Sequence, residues 1–199
     1  MPNNSRQTTD LASQRLLLRT LDSHFLSLCV QANADAAASY LCSGELPDDW
    51  LSQWRLMAMR LKDLHQDPAY LRWSLRAIIW RETGEMIGHI GFHTPPDPDY
   101  LATLGTDGIE IGYEIYPNWR RQGLGREALQ RLLQFAQEQG VQRFILSIAP
   151  DNQPSLALAR SLGFVELGQQ VDGEEGLELL YRLESNKSGS ADPDSPKRQ

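Results

Sequence analysis

The chain has 199 residues, a hydrophobic content of 41% and a formal net charge of -7, which suits one well-cored domain and is short for two. The negative charge argues against nonspecific binding to nucleic acid or anionic lipid, because the long-range field repels phosphates. No apolar run reaches the roughly 20 residues of a membrane-spanning helix, and the first residues do not resemble a signal peptide. We therefore expect a cytoplasmic protein, a monomer or homodimer, with no nucleic-acid or membrane partner.

Cysteine content and the composition of the chain ends set further limits. Cys29 and Cys42 fall in a predicted helical region without metal-ligand spacing, so neither a disulfide nor a metal site is expected. The last residues combine Gly, Ser, Pro and mixed charge with almost no apolar side chain, and burial cannot offset the entropy of ordering them. We predict a flexible N-terminus at residues 1–12, one domain at residues 13–184 and a disordered tail at residues 185–199.

The first elements of the predicted domain are a strand and two helices. RLLLRTL at residues 15–21 alternates as a strand does, and Asp22 can cap a helix that runs through residues 25–41. A second helix is predicted from Pro47, because proline suits the first helical position and the two following aspartates suit the positive end of the helix dipole.

A hairpin and a further strand follow. WSLRAIIW and MIGHIGF read as two strands joined by a turn at Gly84, and the segment rich in Pro, Asp and Gly at residues 93–108 is predicted to be a loop. IEIGYEIYP then has the alternation of a strand. Ile109, Ile111, Tyr113 and Ile115 lie on one face, and Glu110 and Glu114 lie together on the other.

The C-terminal part of the domain alternates helices and strands. A helix is predicted over residues 125–139 with Gly140 as its stop signal, followed by the strand FILSIA. A short helix over residues 152–162 and two final strands, one near Val165 and one at residues 177–183, complete the predicted elements.

The segment NWRRQGLGREAL joins a strand to a helix and carries both glycines and arginines. The first N–H groups of a helix have no internal partner, and Gly123 and Gly125 let a ligand approach the backbone closely. Arg120, Arg121 and Arg126 add positive charge to an otherwise acidic chain, which favours a ligand with several phosphates.

Two common phosphate-loop patterns fit this segment poorly. The P-loop pattern fails because no Lys followed by Ser or Thr comes after the glycines. Gly123, Gly125 and Ala128 satisfy the G-x-G-x-x-A dinucleotide pattern. However, YPNWRRQ separates the glycines from the preceding strand, and no acidic residue ends the next strand.

A third pattern accounts for more of the chain. RRQGLG resembles the [QR]-x-x-G-x-[GA] pyrophosphate loop of the GNAT (Gcn5-related) N-acetyltransferases, with Arg120, Gly123 and Gly125 at the defining positions. IEIGYEIYP is similar to the family's fourth strand, and DNQPSLALARSLGFVELG to the segment after its fifth. SQRLLLRTL resembles the opening strand of the Rim-type branch. The resemblance implies an α/β (α+β) domain with a mixed, mostly antiparallel sheet, splayed between the fourth and fifth strands, and helices on both faces.

The resemblance also implies acetyl-CoA as co-substrate and assigns residues to it. Loop amides would hold the pyrophosphate, backbone amides at the splay would polarise the thioester carbonyl, and an asparagine after the fifth strand would contact the cofactor or cap the following helix. The residues implied are Ile115, Tyr116, Arg120, Arg121, Gln122, Gly123, Leu124, Gly125, Arg126 and Asn152.

The implied catalytic residues are a carboxylate and a serine. Glu110 matches the catalytic glutamate of several family members and is our candidate general base, directly or through water, with Glu114 on the same face as the alternative. Many relatives have, at the position of Ala159, a tyrosine that protonates the leaving thiolate. Rim-type relatives instead use a serine for this step, and that serine matches Ser155. His89 and His93 share a strand face and could line the acceptor site.

These residues together predict an acetyl-CoA-dependent N-acetyltransferase that acts on a primary amine, either a protein N-terminus or a small molecule. The amine would attack the thioester directly. The absence of the family's tyrosine keeps a second hypothesis open, a non-catalytic acyl-CoA-binding or regulatory domain. A nicotinamide-dependent enzyme is the third.

Overall fold

The computed structural model describes residues 10–103, 106–172 and 176–185, and these ranges form one eight-stranded sheet with the order β1-β2-β3-β4-β5-β6-β8-β7. Among the described strands, β5 and β6 pair in parallel and the other neighbours are antiparallel. The strands are β1 (Leu11–Ala12), β2 (Leu16–Thr20), β3 (Arg76–Trp80), β4 (Met86–Phe92), β5 (Ile109–Ile115), β6 (Arg143–Ile148), β7 (Val165–Asp172) and β8 (Gly176–Glu184).

Helices cover both faces of this sheet. They are α1 (Ser23–Val30), α2 (Ala34–Leu41), α3 (Asp48–Leu51), α4 (Trp54–Gln66), α5 (Asp99–Thr103), α6 (Leu124–Glu138) and α7 (Gln153–Ser161), with 3-10 turns at Pro68–Arg72 and Pro117–Trp119. One apolar core joins α6 and α7 to the sheet. A second core packs α1, α2 and α4 on β3 and β4. The predicted mixed, mostly antiparallel sheet with helices on both faces is confirmed.

The sheet divides between β5 and β6. Their pairing is confined to Ile109 with Phe144 and Glu110 with Ile145, so the two strands separate beyond that point. The short β1, which pairs with β2 and was not predicted, raises the strand numbers by one. The predicted splay between a fourth and a fifth strand is therefore the gap between β5 and β6.

The prediction of one continuous helix through residues 25–41 is wrong. Ala32 has φ 56°, a left-handed backbone that ends a right-handed helix. Asn33 then starts α2 afresh, because its side chain accepts a hydrogen bond from the Ala36 N–H at 3.3 Å. The break gives two short helices in place of one long helix.

The helix predicted from Pro47 is also divided. It begins at the predicted residue, with Pro47 capping α3, but α3 ends at Leu51 and α4 begins at Trp54. The break changes which side chains face the core. Trp50 and Met57 are buried, whereas Trp54 is 61% exposed.

The segment predicted as a loop at residues 93–108 contains α5. Leu101 anchors this single turn because its side chain is fully buried. The preceding residue, Tyr100, reaches the start of β5. The Pro- and Asp-rich composition favours a loop, but the segment forms a helical turn that brings Tyr100 to Glu110.

The remaining helices agree closely with their predicted bounds. Helix α6 starts and ends one residue before the prediction, and α7 lies within the predicted short helix. Residues 1–9 and 186–199, which include most of the predicted flexible N-terminus and tail, lie outside the described residues, so those two predictions stay predictions. No helix in the described ranges combines the length and apolar character needed to cross a bilayer.

Candidate active site

Strand β5 presents an unpaired backbone edge toward β6. The Tyr116 N–H donates to the Ile87 carbonyl at 2.9 Å, so this residue's backbone faces β4. Because successive backbone groups of a strand point to opposite edges, those of Ile115 and Tyr113 face the gap. At the rim of that gap the Ile115 carbonyl accepts from Arg120 Nε at 2.7 Å. Of the two residues predicted to polarise a thioester, Ile115 thus turns its N–H to the gap and Tyr116 turns its N–H to the sheet.

The loop after β5 has the geometry of an anion cradle. Arg121 and Gly123 have φ values of 59° and 77°, and alternation with left-handed residues turns successive N–H groups inward. Helix α6 begins directly afterwards and has no side-chain cap. Its first hydrogen bond runs from the Glu127 N–H to the Gly123 carbonyl, which leaves the preceding N–H groups free for a ligand.

The two glycines of this loop have different functions. Gly123 needs its positive φ, and a methyl group there would come no nearer than 3.7 Å to a described atom, Arg15 Nη2. Gly125 packs closely, since a methyl group would lie 3.5 Å from the Ile115 side chain and 3.6 Å from Leu158. The first glycine shapes the loop, and the second brings α6 against β5 and α7.

The three arginines are not equivalent. Arg120 ties the loop back to β5 through the Ile115 carbonyl and lies 3.4 Å from a Glu114 oxygen. Arg126 Nη2 donates to Ser161 Oγ at 2.5 Å and so connects α6 to α7. Arg121 is exposed and has a non-glycine left-handed backbone, a strained conformation that is typical of ligand-binding loops.

A salt bridge that the sequence analysis missed holds the loop in place. Glu127 accepts from the Arg15 N–H and Arg15 Nε, both at 2.7 Å, and from Ser13 Oγ at 2.8 Å. Arg15 Nη1 also donates to the Gln122 carbonyl at 3.1 Å. Arg15 and Glu127 are 112 positions apart. A single sequence carries no signal for a contact between residues so far apart along the chain.

Glu110 is a buried carboxylate with donors on both oxygens. Ser147 of β6 donates to Oε1 and Tyr100 of α5 donates to Oε2 at 2.6 Å, while His93 Nδ1 lies 3.5 Å from Oε2. Burial alone would raise the pKa of Glu110, but the hydrogen bonds from these three side chains and the His93 charge lower it to about 2. Glu110 is therefore ionised at neutral pH and is a weak base.

Glu114 lies on the same face of β5 but is half-exposed. Gln53 donates to its Oε2 at 3.3 Å, and Arg120 lies near its other oxygen. Burial raises the pKa of Glu114, Arg120 lowers it, and Asp49 raises it further, with a net increase. The two glutamates that the sequence placed together have opposite pKa shifts, because Glu110 has more hydrogen-bond donors.

The two histidines on β4 and just after it also differ. His89 is 7% exposed and stacks edge-on against Trp50, with ring centroids 5.6 Å apart. Burial lowers its pKa to about 4, so it is a neutral core residue. His93 has a side chain that is 43% exposed and contacts Glu110.

Ser155 lies across the gap, in the first turn of α7. Its N–H donates to the Asn152 side chain at 3.2 Å, so Asn152 caps this helix. Its hydroxyl oxygen lies 3.1 Å from the Tyr113 hydroxyl, which donates to it. Burial raises the pKa of Tyr113. Tyr113 lies on the apolar face that the strand alternation predicts, and it also brings a tyrosine hydroxyl to Ser155, which Ala159 cannot do.

The chain matches the model of the acetyltransferase (GNAT) domain over residues 15–165. It is 29% identical over 167 residues to an uncharacterized N-acetyltransferase p20 of Bacillus licheniformis, covering 83% of this chain and 87% of that protein. It is 34% identical over 92 residues to the N-alpha-acetyltransferase RimI of Mycobacterium tuberculosis, covering 44% of this chain and 51% of the other.

A solved structure has the same fold. The ribosomal L7/L12 alpha-N-protein acetyltransferase RimL, in complex with coenzyme A, superposes with a TM-score of 0.59 at 20% identity, covering 88% of this chain and 98% of that one. The fold, the loop before α6 and the family match over most of the chain agree. The chain belongs to the GNAT family of acetyltransferases and has Rim-type proteins among its relatives.

Proposed function

We propose that this protein transfers the acetyl group of acetyl-CoA to a primary amine, with the amine attacking the thioester directly. The observation that carries the proposal is the continuity of the site. The uncapped start of α6 adjoins the unpaired edge of β5, and that edge runs between Glu110 on one face of the sheet and Ser155 on the other.

The loop supplies the grip on the pyrophosphate. Backbone N–H groups from Arg121 to Arg126 can bind the pyrophosphate at the positive end of the α6 dipole. Arg121 adds an exposed positive charge. Arg120 and Arg126 act mainly by holding the loop, since both already bind protein oxygens. Asn152, at the start of α7, can contact the cofactor while it caps the helix.

Pantetheine would lie in the gap as an additional strand. The N–H groups of Tyr113 and Ile115 face that gap, where they can bind the amides of pantetheine and polarise the thioester carbonyl. Tyr116 is adjacent, but its own N–H is engaged by Ile87. The thioester carbon then lies between the two faces of the sheet.

The reaction requires a neutral amine and a protonated leaving group. A base on the Glu110 face of the sheet takes one proton from the ammonium form of the amine, and the neutral nitrogen attacks the carbonyl carbon. The C–S bond then breaks, and the nitrogen loses its second proton to solvent. Ser155 donates a proton to the departing thiolate and regains one from Tyr113, whose hydroxyl donates to its oxygen and is reprotonated from solvent. No group of three or more His, Cys, Asp or Glu side chains suited to a metal occurs within the described ranges.

The names of two relatives support one class of acceptor. RimI is named an N-alpha-acetyltransferase and RimL an alpha-N-protein acetyltransferase, which makes a protein N-terminus one candidate acceptor, with a small-molecule amine as the other. Asp49 lies close enough to Glu114 to raise its pKa, so the surface beside Glu114 carries two carboxylates. A positively charged amine would be attracted to these carboxylates.

Calorimetric titration with acetyl-CoA tests the proposal first. The wild-type protein should bind acetyl-CoA saturably and should not bind NAD, whereas the folded Arg121→Glu, Gly123→Asp double variant should lose acetyl-CoA binding. A panel of amines and N-terminal peptides then tests turnover. A folded wild-type protein that does not bind acetyl-CoA would refute the proposal, and binding without turnover would favour a non-catalytic acyl-CoA-binding domain.

A further inference from the structure

Two side chains that are open to solvent contact the Glu110 carboxylate, Tyr100 and His93. The Tyr100 hydroxyl donates to Glu110, whereas His93 has a ring nitrogen that can act as a base. Its side chain is 43% exposed, and it lies on the face of the sheet that carries both glutamates. Glu110 itself has a side chain that is only 7% exposed. An incoming amine therefore meets the imidazole before it can reach the carboxylate.

Glu110 already has a hydrogen-bond donor on each oxygen. Ser147 donates to one oxygen, and Tyr100 and His93 approach the other. A carboxylate that accepts several hydrogen bonds strongly favours its ionised form, which makes it a poor proton acceptor. Such a group is better suited to orienting a neighbour than to accepting a proton from substrate.

The orientation of the imidazole suits a base that Glu110 holds in place. Nδ1 is the atom directed at Glu110, so the carboxylate favours the tautomer with the proton on Nδ1 and leaves Nε2 with its lone pair. Nε2 lies over Gly112 on β5, where a methyl group would approach it to 2.6 Å. Glycine at this position keeps the basic nitrogen next to the strand along which the thioester would lie.

The backbone of His93 is held from the helical side. Its carbonyl accepts from Arg60 Nη1 at 2.8 Å and from the Tyr70 hydroxyl at 3.0 Å. The titratable and charged groups packed around the residue are Glu110 from β5, Tyr100 from α5, Arg60 and Asp63 from α4, and Tyr70 from the 3-10 turn. Among these, Glu110 is the one that contacts the ring.

We infer that His93 is the catalytic base of the reaction and that Glu110 is the positioning residue that orients and charge-balances it. The inference rests on the proposed function. Nε2 takes one proton from the ammonium form of the acceptor, and the neutral nitrogen forms the bond to the carbonyl carbon. The C–S bond breaks, Ser155 protonates the thiolate, and the second proton of the nitrogen passes to solvent. The imidazolium is stabilised by Glu110 until it releases the proton to solvent, to which the ring is open.

The decisive variants are His93→Asn and Glu110→Gln, compared in pH profiles of kcat and KM with an amine that the wild-type protein acetylates. Asparagine keeps an N–H near the Nδ1 position but has no basic nitrogen. His93→Asn should lower kcat by about a hundred-fold or more near neutral pH, with unchanged acetyl-CoA affinity and partial rescue by added imidazole. Glu110→Gln should lower kcat less, because the base remains and only its orientation is lost. His65→Asn, at the exposed end of α4, is the matched control and should leave the profile unchanged.

A second readout does not depend on turnover. Nitrogen-15 chemical shifts of the imidazole should show His93 with the proton on Nδ1 in the wild-type protein, and this preference should weaken in Glu110→Gln. Near-wild-type kcat in His93→Asn would overturn the inference whatever the effect of Glu110→Gln, as would a proton on Nε2. If the wild-type protein binds acetyl-CoA but acetylates no amine, the proposed function fails and the inference fails with it.

Discussion

The hydroxyl of Tyr113 lies 3.1 Å from Oγ of Ser155 and donates to it, joining β5 to α7 across the gap in the sheet. If Ser155 protonates the leaving thiolate, Tyr113 supplies the replacement proton. Tyr113→Phe and Ser155→Ala should each lower kcat by about ten-fold or more, and the double variant should be no slower than Ser155→Ala. Steady-state kinetics with titrated acetyl-CoA binding checks this.

Tyr40→Phe is the control for loss of a tyrosine hydroxyl elsewhere, since Tyr40 bonds to Asp22 on the far helices. Multiplicative losses in the Tyr113, Ser155 double variant would show that the two hydroxyls act independently. Wild-type kcat in Ser155→Ala would remove both residues from proton transfer.

Two glycines at opposite ends of α6 separate backbone strain from ligand contact. Gly123 and Gly140 have φ values of 77° and 93°, so alanine at either position should destabilise the fold by about 1 kcal/mol. Only Gly123 belongs to the proposed cradle, since Gly140 lies beyond the other end of α6. Acetyl-CoA affinity measured by calorimetry should fall in Gly123→Ala and stay at the wild-type value in Gly140→Ala. Equal affinities in the two variants would argue against the cradle.

The Arg15 side chain reaches both Glu127 and the Gln122 carbonyl, and its guanidinium shape allows this double contact. Arg15→Lys keeps the charge but loses the branched guanidinium that makes both contacts. The loop should become less ordered, and we expect several-fold weaker acetyl-CoA binding. Arg81→Lys, which changes a nearby guanidinium that binds the Ser13 and Gln14 carbonyls, should bind acetyl-CoA normally. Wild-type affinity in Arg15→Lys would show that the loop holds its shape without this contact.

His89 makes stability depend on pH. Its pKa falls from 6.5 to about 4 on burial, so between these values the unfolded chain binds more protons than the folded one. The free energy of unfolding should therefore rise with pH across that window and reach its full value above pH 6.5. His89→Phe should reduce the loss between about pH 7.5 and about pH 5 by about 2 kcal/mol.

Urea unfolding at the two pH values measures this difference. Glu110 does not confound it, because its lowered pKa adds a stability that is present above pH 4.5 and is lost only as pH falls toward 2. The same pH dependence in wild type and His89→Phe would contradict a neutral, buried His89.

The sequence predicted those features that depend on local pattern. The bounds of α6 followed from apolar periodicity and Gly140, and the cradle followed from a strand, two glycines and a helix start. The breaks at Ala32 and Ser52 were missed because no proline or glycine marks them. Tyr100 was missed because its helical turn forms through burial of Leu101 in a segment whose composition favours a loop.

The candidate catalytic groups show the same limit. Alternation placed Glu110 and Glu114 on one face, but only tertiary contacts determine that Ser147, Tyr100 and His93 surround the first and not the second. Tyr113 was assigned to the apolar face correctly. That this face also carries Ser155 depends on the position of α7, which no local pattern specifies.

The two halves of the sheet are joined by strand pairing at only Ile109 and Glu110 of β5. A molecule that lies in the gap and bonds to the free edge of β5 would join the two halves as a crosslink does. Binding should then slow amide hydrogen exchange on both sides of the gap, in β4 and β5 as well as in β6 and β8. An unfilled gap is also an interior strand edge, and such edges promote association between chains. The co-substrate would thus protect the protein against aggregation as well as take part in its reaction.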